Sequence, residues 1–410
     1  MNSVAPDKRC IADLALFGGP PLFSTPRPIG QLDAPPVDEY LALLRQVMVN
    51  RRLTNDGPMV QELETRLAAW HGVAHCVALA SAGLGLMMLT QIFAEGRRGE
   101  IVMPAFTFRG LPHFAAWAGQ TPRFADVDPI THTLTPQAVA TAIGEHTTSI
   151  LAVCNCQSPG DIAGLCAVAE RHQLPIFFDS VYGLGSNYAG RRLGGFGRAE
   201  VFSLHASKLL NGFEGGYITT NDADLARLVR YQRNFCYGSD DDETAGRVIG
   251  LNAKLNELHA AMALLSLDRI DASIAANRER YETYVTACAD IQGLRLLAYP
   301  EPAVAPSGYP LVIVELLPSW PLDRERMIAL LRAEGAIIGP YYSPPLHRRE
   351  GAPTPTPSLP VTEDLARRFI QLPCGSLVSA ADIDAIAGLL RFVAAHGAEI
   401  AARKDAGRAP

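Results

Sequence analysis

An alternation of short apolar runs with helical patterns restricts the fold more than any other feature of this chain. From Gln61 it continues for about 160 residues. The strand-like runs are HCVALA, GEIVMP, TPRFADV, SILAVCN, PIFFDS, AEVFSLH and GGYITT. Helical patterns fall between several of them, for example Asp161 to His172. Such alternation predicts an α/β fold with a mostly parallel sheet and helices on both faces.

The flanking segments read differently. Gly18 to Pro36 is rich in Gly and Pro and is expected to be an extended arm. A helix is predicted from about Val37 to Arg51, followed by the turn signal LTNDGP at Leu53 to Pro58. After Asp222 come a helical stretch, Leu225 to Asn234, and an acidic loop, Ser239 to Glu243. One long helical pattern then runs from about Lys254 towards Cys288. Beyond it lie a strand in YPLVIVEL, a helix over Asp323 to Glu334, a strand in AIIGPYY and a last helix near Ala381 to Ala395. The expected division is an N-terminal arm and helix over 1–58 and a large α/β domain over 59–252. A linking helix with a small α+β domain follows over 253–400. The Pro-, Arg- and His-rich stretch Ser343 to Pro360 is predicted to be exposed, and the tail 401–410 disordered.

Composition limits the function. Of 410 residues 48% are apolar and 19% charged, with a formal net charge of −6. The pI is near 5.9. This balance argues against nucleic-acid or anionic-membrane partners. It leaves room for a phosphorylated small molecule, which needs only a few placed donors. Lys8 and Arg9 precede a short apolar stretch, but Asp13 interrupts it and no cleavage pattern follows, so no signal peptide is read. No run reaches the ~18 apolar residues of a membrane span. The eight cysteines are scattered. Cys154 and Cys156 are the one close pair, and their spacing is too short for the usual metal-binding motif. Their setting, ILAVCNC, reads as a buried strand end with reduced thiols. The expectation is a soluble, cytoplasmic protein with no metal.

Four features follow one another along the alternating region. SAGLGL, Ser81 to Leu86, lies between a strand and a helical pattern, where small residues and a helix N-terminus favour an anion. Asp179 ends the apolar run PIFF, at the strand end where open α/β sheets bind ligands. VFSLHASK delivers Ser203 and, five residues later, Lys208. FEGGYITT places Gly215 and Gly216 after the lysine loop, as a tight backbone approach would require. Taken singly these are a turn, a helix cap, a surface lysine and a loop. Together, with Asp179 preceding Lys208 by 29 residues, they fit one cofactor. Lysine forms an imine with a carbonyl. A buried carboxylate is costly unless a cation such as a protonated pyridine nitrogen meets it.

On these residues the chain resembles the DegT/DnrJ/EryC1/StrS family of sugar aminotransferases, which are fold-type-I enzymes dependent on pyridoxal 5'-phosphate. The resemblance runs from LTNDGPMVQELE at Leu53 to LPCGSLVSAADIDAI near the end. It includes VDP at 127–129, FSLHASKLLNGFEGG at 202–216, RNFCYG at 233–238 and GLNAKLNELHAAMAL at 250–264. YYSPPLH at 341–347 and LPVTEDLARR at 359–368 also match. The subgroup it is most similar to makes 4-amino-4,6-dideoxy sugars on a nucleotide carrier.

The resemblance implies a role for each matching position. Lys208 holds the cofactor as a Schiff base, and Asp179 partners its pyridine nitrogen. Ser203, with the backbone at Ala82 and Gly83, forms the phosphate cup. Phe108 stacks on the ring, and at the departing position Tyr182 a phenol can still reach the cofactor's ring oxygen. Asn252 reaches the phosphate of a neighbouring subunit's cofactor, which implies a homodimer with shared active sites. The implied partners are small molecules: L-glutamate as amino donor and a keto group of a nucleotide-linked deoxysugar as acceptor, in ping-pong order.

Four departures bear on this. The family usually has Ser-Gly-Thr or a close variant where Ser81-Ala82-Gly83 stands, so Gly83 lacks a hydroxyl worth about 1.5–3 kcal/mol against a charged partner. Tyr182 replaces a common Gln or His. CNCQSPGD, from Cys154, replaces a stretch usually reading His-x-Tyr-Gly before Pro-x-Asp. Lys254 stands where Arg is frequent. These changes keep open a non-sugar ketone as acceptor, or another reaction of the same cofactor such as dehydration. The sugar dehydratase branch carries His at the lysine position, so Lys208 favours transfer. A non-catalytic regulator is a further reading, opposed by the presence of both Lys208 and Asp179 and by the lack of a DNA-binding appendage.

Overall fold

The computed structural model describes residues 8–237, 248–300 and 306–403. All seven strand-like runs form strands of one sheet. They are β1 (His75–Leu79), β2 (Gly99–Pro104), β3 (Gln120–Ala125), β4 (Thr147–Val153) and β5 (Ile176–Asp179). After a small hairpin of β6 (Asn187–Tyr188) and β7 (Arg191–Arg192) come β8 (Glu200–Ser203) and β9 (Gly216–Thr220). The order across the sheet is β1-β9-β8-β5-β4-β2-β3. β9 is antiparallel to both its neighbours, and the remaining pairings are parallel. The exception has a simple cause: β8 and β9 are joined by a loop without a crossover helix, so the chain turns straight back.

Helices cover both faces, which is why the strands are apolar on both sides. Successive residues of a strand point to opposite faces. Phe178 accordingly packs with Leu63, Leu67 and Leu165 on one side, and Phe177 with Phe93, Leu89 and Val229 on the other. Both phenylalanines are fully buried. Truncating either to Ala should cost about 3–5 kcal/mol.

The small domain is built on an antiparallel sheet of order β10-β11-β13-β12. Its strands are β10 (Leu294–Leu296), β11 (Val312–Leu316), β12 (Gly339–Pro340) and β13 (Phe369–Leu372). Helices Arg324–Ala333 and Ala380–Ala402 pack on it. The run AIIGPYY yields only the two-residue β12, because Pro340 has no N–H to extend the ladder. The last helix reaches Ala402, into the stretch expected to be tail, and residues 404–410 lie outside the described residues. It is long and apolar enough to cross a membrane by length and composition. Charged residues interrupt its apolar run, and Ile383, Ile386, Leu390 and Val393 are buried in the small-domain core.

Two expectations need correction, and the arm has contacts the sequence did not show. The long helical pattern after Lys254 is two helices, Glu257–Asp268 and Ile270–Ala287, broken at Arg269 (φ −109°, ψ 4°). No Gly or Pro marks the break, so local sequence carried no signal for it. The Gly/Pro-rich arm carries no helix, in keeping with an extended arm, but it is not free: Leu22 and Phe23, like Phe17 just before it, are in the small-domain core. Glu334 accepts hydrogen bonds from Ala15 N (2.7 Å) and Leu22 N (2.8 Å), and Arg27 pairs with buried Asp382 at 2.9 Å. The stretch Ser343 to Pro360 is not simply exposed either. Leu346, His347 and Leu359 are buried, and Leu346 N donates to Ala105 O at 3.0 Å. His347 and Arg348 both reach Glu363, so the Arg348 charge faces a protein carboxylate. The acidic loop predicted at Ser239 to Glu243 lies outside the described residues.

Candidate active site

The carboxyl ends of β1, β2, β4, β5 and β8 meet at one edge of the sheet. A cavity of about 390 Å³ opens there. Of the residues singled out from sequence, Ala82, Gly83, Phe108, Asp179, Tyr182, Ser203 and Lys208 all line it. A larger cleft, about 990 Å³, lies by Pro175 and Arg198, at the amino ends of β5 and β8, and contains none of them. The residues singled out from sequence therefore gather at the smaller cavity.

Asp179 is the last residue of β5 and is 5% exposed. Val181 N donates to its Oδ1 at 3.2 Å. Burial pushes its carboxyl up to about 6, against the pull of that N–H and of the Lys208 ammonium. Desolvation wins because one long hydrogen bond and one distant cation replace little of the lost water.

Lys208 sits in the loop between β8 and β9, its backbone N donating to His205 O at 2.8 Å. Its Nζ lies 3.9 Å from the centre of the Tyr182 ring. The loop is pinned from outside by the N-terminal arm: Gln31 N donates to Ser207 O at 3.0 Å, and Leu32 N to Ala206 O at 3.2 Å. The arm thus helps place the lysine, a contact invisible in local sequence.

The anion cradle is a matter of close approach. Ser81 caps the helix Ala82–Ala94, its Oγ accepting from Leu84 N at 3.2 Å. The first N–H groups of a helix have no partner within it, so those of Ala82 and Gly83 face outward for a ligand. Across from them Ser203 ends β8, opposite Gly216 in register. Its Oγ accepts from His205 N at 3.2 Å, which leaves its proton to donate. A Cβ on Gly216 would lie 2.3 Å from Ala82 N, so only glycine lets β9 pass the helix start. Gly83 is likewise constrained: a Cβ there would lie 2.6 Å from the Phe114 ring. The hydroxyl missing at position 83 is a consequence of that packing.

Phe108 is half exposed at the cavity wall. Asn252 is exposed, bridges to Asn234 and does not line the cavity. The segment from Cys154 to Gln157 does not line the cavity. Cys154 and Cys156 are buried free thiols, the latter pushed up to about 12 by burial. Asn155 Nδ2 donates to Tyr341 Oη at 2.5 Å. Tyr341 backs Tyr342, with ring centres 4.2 Å apart, and Tyr342 lines the cavity. The unusual segment therefore acts on the site through a tyrosine from the small domain.

Several lining residues carried no assigned role in the sequence, and two of them bear on the site. Tyr342 is one, and its only signal was its place in YYSPPLH. The other is Thr107, in the run PAFTF beside Phe108.

Comparison with known proteins agrees with this geometry. The family model for DegT/DnrJ/EryC1/StrS aminotransferases matches residues 37–391. The chain is 28% identical over 324 residues to a dTDP-4-amino-4,6-dideoxy-D-glucose transaminase of Shigella dysenteriae, covering 79% of this chain and 85% of the relative. It is 30% identical over 428 aligned positions to an L-glutamine:2-deoxy-scyllo-inosose aminotransferase of Streptomyces fradiae, covering 95% and 100%. Among solved structures it is similar to DesI, determined in the presence of its TDP-sugar product. That match has 37% identity and a TM-score of 0.90, and covers 96% of this chain and 99% of the other. Fold, cavity and comparison converge: the chain is a transaminase and belongs to the DegT/DnrJ/EryC1/StrS aminotransferase family.

Proposed function

We propose that the cavity holds pyridoxal 5'-phosphate and that the enzyme moves an amino group from L-glutamate to the keto group of a nucleotide-linked deoxysugar. The observation that carries the acceptor is the likeness to DesI, whose structure was determined in the presence of its TDP-sugar product and which matches nearly end to end. For the cofactor, the residues present fit on three counts. The Ala82–Gly216 approach leaves a backbone cradle that a side chain would fill. Asp179 is buried with its charge poorly compensated. Thr107 Oγ1 is buried without a hydrogen-bond partner.

Bound there, the cofactor would supply an electron sink and carry the amino group between donor and acceptor. Lys208 Nζ would anchor it covalently. Released, the same amine would take the proton from the donor's α-carbon as general base and, in the second half-reaction, would deliver one to the acceptor's former keto carbon as general acid. Asp179, ionised opposite a ring cation, keeps that nitrogen protonated. Ser203 and the N–H groups of Ala82 and Gly83 hold the phosphate. Phe108 and Tyr182 bound the ring's place, and Asn252 of a second copy completes a cytoplasmic homodimer's site. Holding proton donor and acceptor on one side chain gives a proximity advantage. Two half-reactions in one cavity imply ping-pong kinetics.

A second reading has its own support. The Streptomyces fradiae relative is named for an inosose acceptor and an L-glutamine donor, and it aligns over 95% of this chain. A panel of nucleotide-linked 4-keto-6-deoxyhexoses and cyclitol ketones, each with glutamate and with glutamine, separates the two. Turnover confined to cyclitol ketones would overturn the sugar reading. Absence of a cofactor absorbance band after incubation with pyridoxal 5'-phosphate would overturn the cofactor assignment.

A further inference from the structure

Among the described residues lining the cavity, Thr107 alone has a buried side-chain oxygen without a partner. The residue is 4% exposed. It lies just past the carboxyl end of β2, where the chain turns into the helix Leu111–Trp117. An unpaired buried hydroxyl is uncommon in a native protein, because it loses its bond to water and gains nothing in return. Neighbouring groups do not satisfy it. Phe106 and Phe108 flank it in sequence, and Val153 and Phe114 share the cavity wall. Asp179 Oδ1 accepts from Val181 N. Meanwhile the cradle lacks a hydroxyl at position 83, where a Cβ would lie 2.6 Å from the Phe114 ring.

We propose that Thr107 is a cofactor-binding residue of this chain, its hydroxyl donating to an anionic oxygen of the bound cofactor. The inference rests on the reading that the cavity holds pyridoxal 5'-phosphate. Such a cofactor brings anionic oxygens of two kinds, on its phosphate and at its ring phenolate. A hydroxyl donor suits either. In both cases the protein holds an unmet donor before loading and satisfies it on loading, so the cost of burying the hydroxyl is recovered as affinity.

The test uses cofactor-free wild type, Thr107→Val and Thr107→Ser. Each is titrated with pyridoxal 5'-phosphate and with pyridoxal, which lacks the phosphate, following absorbance and protein fluorescence. The unfolding midpoint of each cofactor-free protein is measured alongside. The expected result is a dissociation constant for pyridoxal 5'-phosphate raised about ten-fold or more by Thr107→Val and restored by Thr107→Ser. Stability of the cofactor-free Val variant should be unchanged or higher, since valine removes an unpaired buried hydroxyl without changing shape. Loss of affinity for the phosphorylated ligand alone assigns the contact to the phosphate; loss for both assigns it to the ring oxygen. Equal affinities of Thr107→Val and wild type for both ligands would sink the assignment. So would a lower unfolding midpoint of the cofactor-free Val variant, which marks a structural hydroxyl. Wild type that takes up neither ligand removes the cofactor reading and this assignment with it, whereas binding undiminished by Thr107→Val removes the assignment alone.

Discussion

Replacing Asp179 by Asn isolates the electrostatic problem at the centre of the site. The substitution keeps the shape and keeps an oxygen to accept from Val181 N, so what changes is the charge. In the cofactor-free protein burial raises the Asp179 carboxyl from its ordinary 3.8 to about 6. That gap corresponds to about 3 kcal/mol. The sign follows from linkage. Between these two values the folded state holds a proton that the unfolded state has lost, so wild-type stability falls as pH rises through the window and stays low above it. The amide of the variant cannot ionise and escapes the penalty. The prediction is that cofactor-free Asp179→Asn matches wild type near pH 4 and exceeds it by up to about 3 kcal/mol near pH 8. Urea unfolding at a series of pH values measures this directly. The same variant should lose most of its transaminase turnover, because a ring cation then has no carboxylate to face. Loading with pyridoxal 5'-phosphate should stabilise wild type more than the variant at pH 8. Parallel pH curves for the two cofactor-free proteins, or a variant that is less stable at high pH, would refute the argument that desolvation dominates at this residue.

Other expectations follow from single contacts. Lys208→Ala should abolish amino transfer and the cofactor's imine absorbance while leaving the fold intact by circular dichroism; surviving transfer would remove Lys208 from the chemistry. Gly216→Ala should force β9 away from the helix start, since its methyl would meet Ala82 N at 2.3 Å. A cost of about 1–3 kcal/mol in unfolding and a clear loss of cofactor affinity are expected, and an unchanged affinity would argue against the cradle. Glu334→Gln should destabilise the protein by about 3–5 kcal/mol, because it leaves Lys8, 2.8 Å away and nearly buried, without its carboxylate. A midpoint within experimental error of wild type would show that the arm contributes little. Tyr341→Phe strands the Asn155 amide and loosens the support of Tyr342. Its effect should appear in KM for the acceptor more than in cofactor affinity, and equal acceptor KM values would count against that wall.

The sequence by itself determined the central sheet and most of the cavity. Its seven strands were legible because each is apolar on both faces, and a residue at a buried strand's carboxyl end has few places to go. That is why Asp179, Ser203 and Ala82 could be placed together from their order along the chain. The glycines were legible in kind, as close approaches, but not in partner. Tertiary structure alone decided that Gly216 makes room for Ala82 and Gly83 for Phe114. It also decided what lies far apart in sequence: the arm that pins the Lys208 loop, the break at Arg269, and the burial of Leu346 within a Pro-rich stretch. Local composition reports propensity and periodicity, and none of these depends on either. The reach of Asn155 to Tyr341, 186 residues away, makes the same point at the site itself. The unusual segment at Cys154 to Gln157 lies behind the cavity wall rather than in it, because packing sets which side chain faces the cavity.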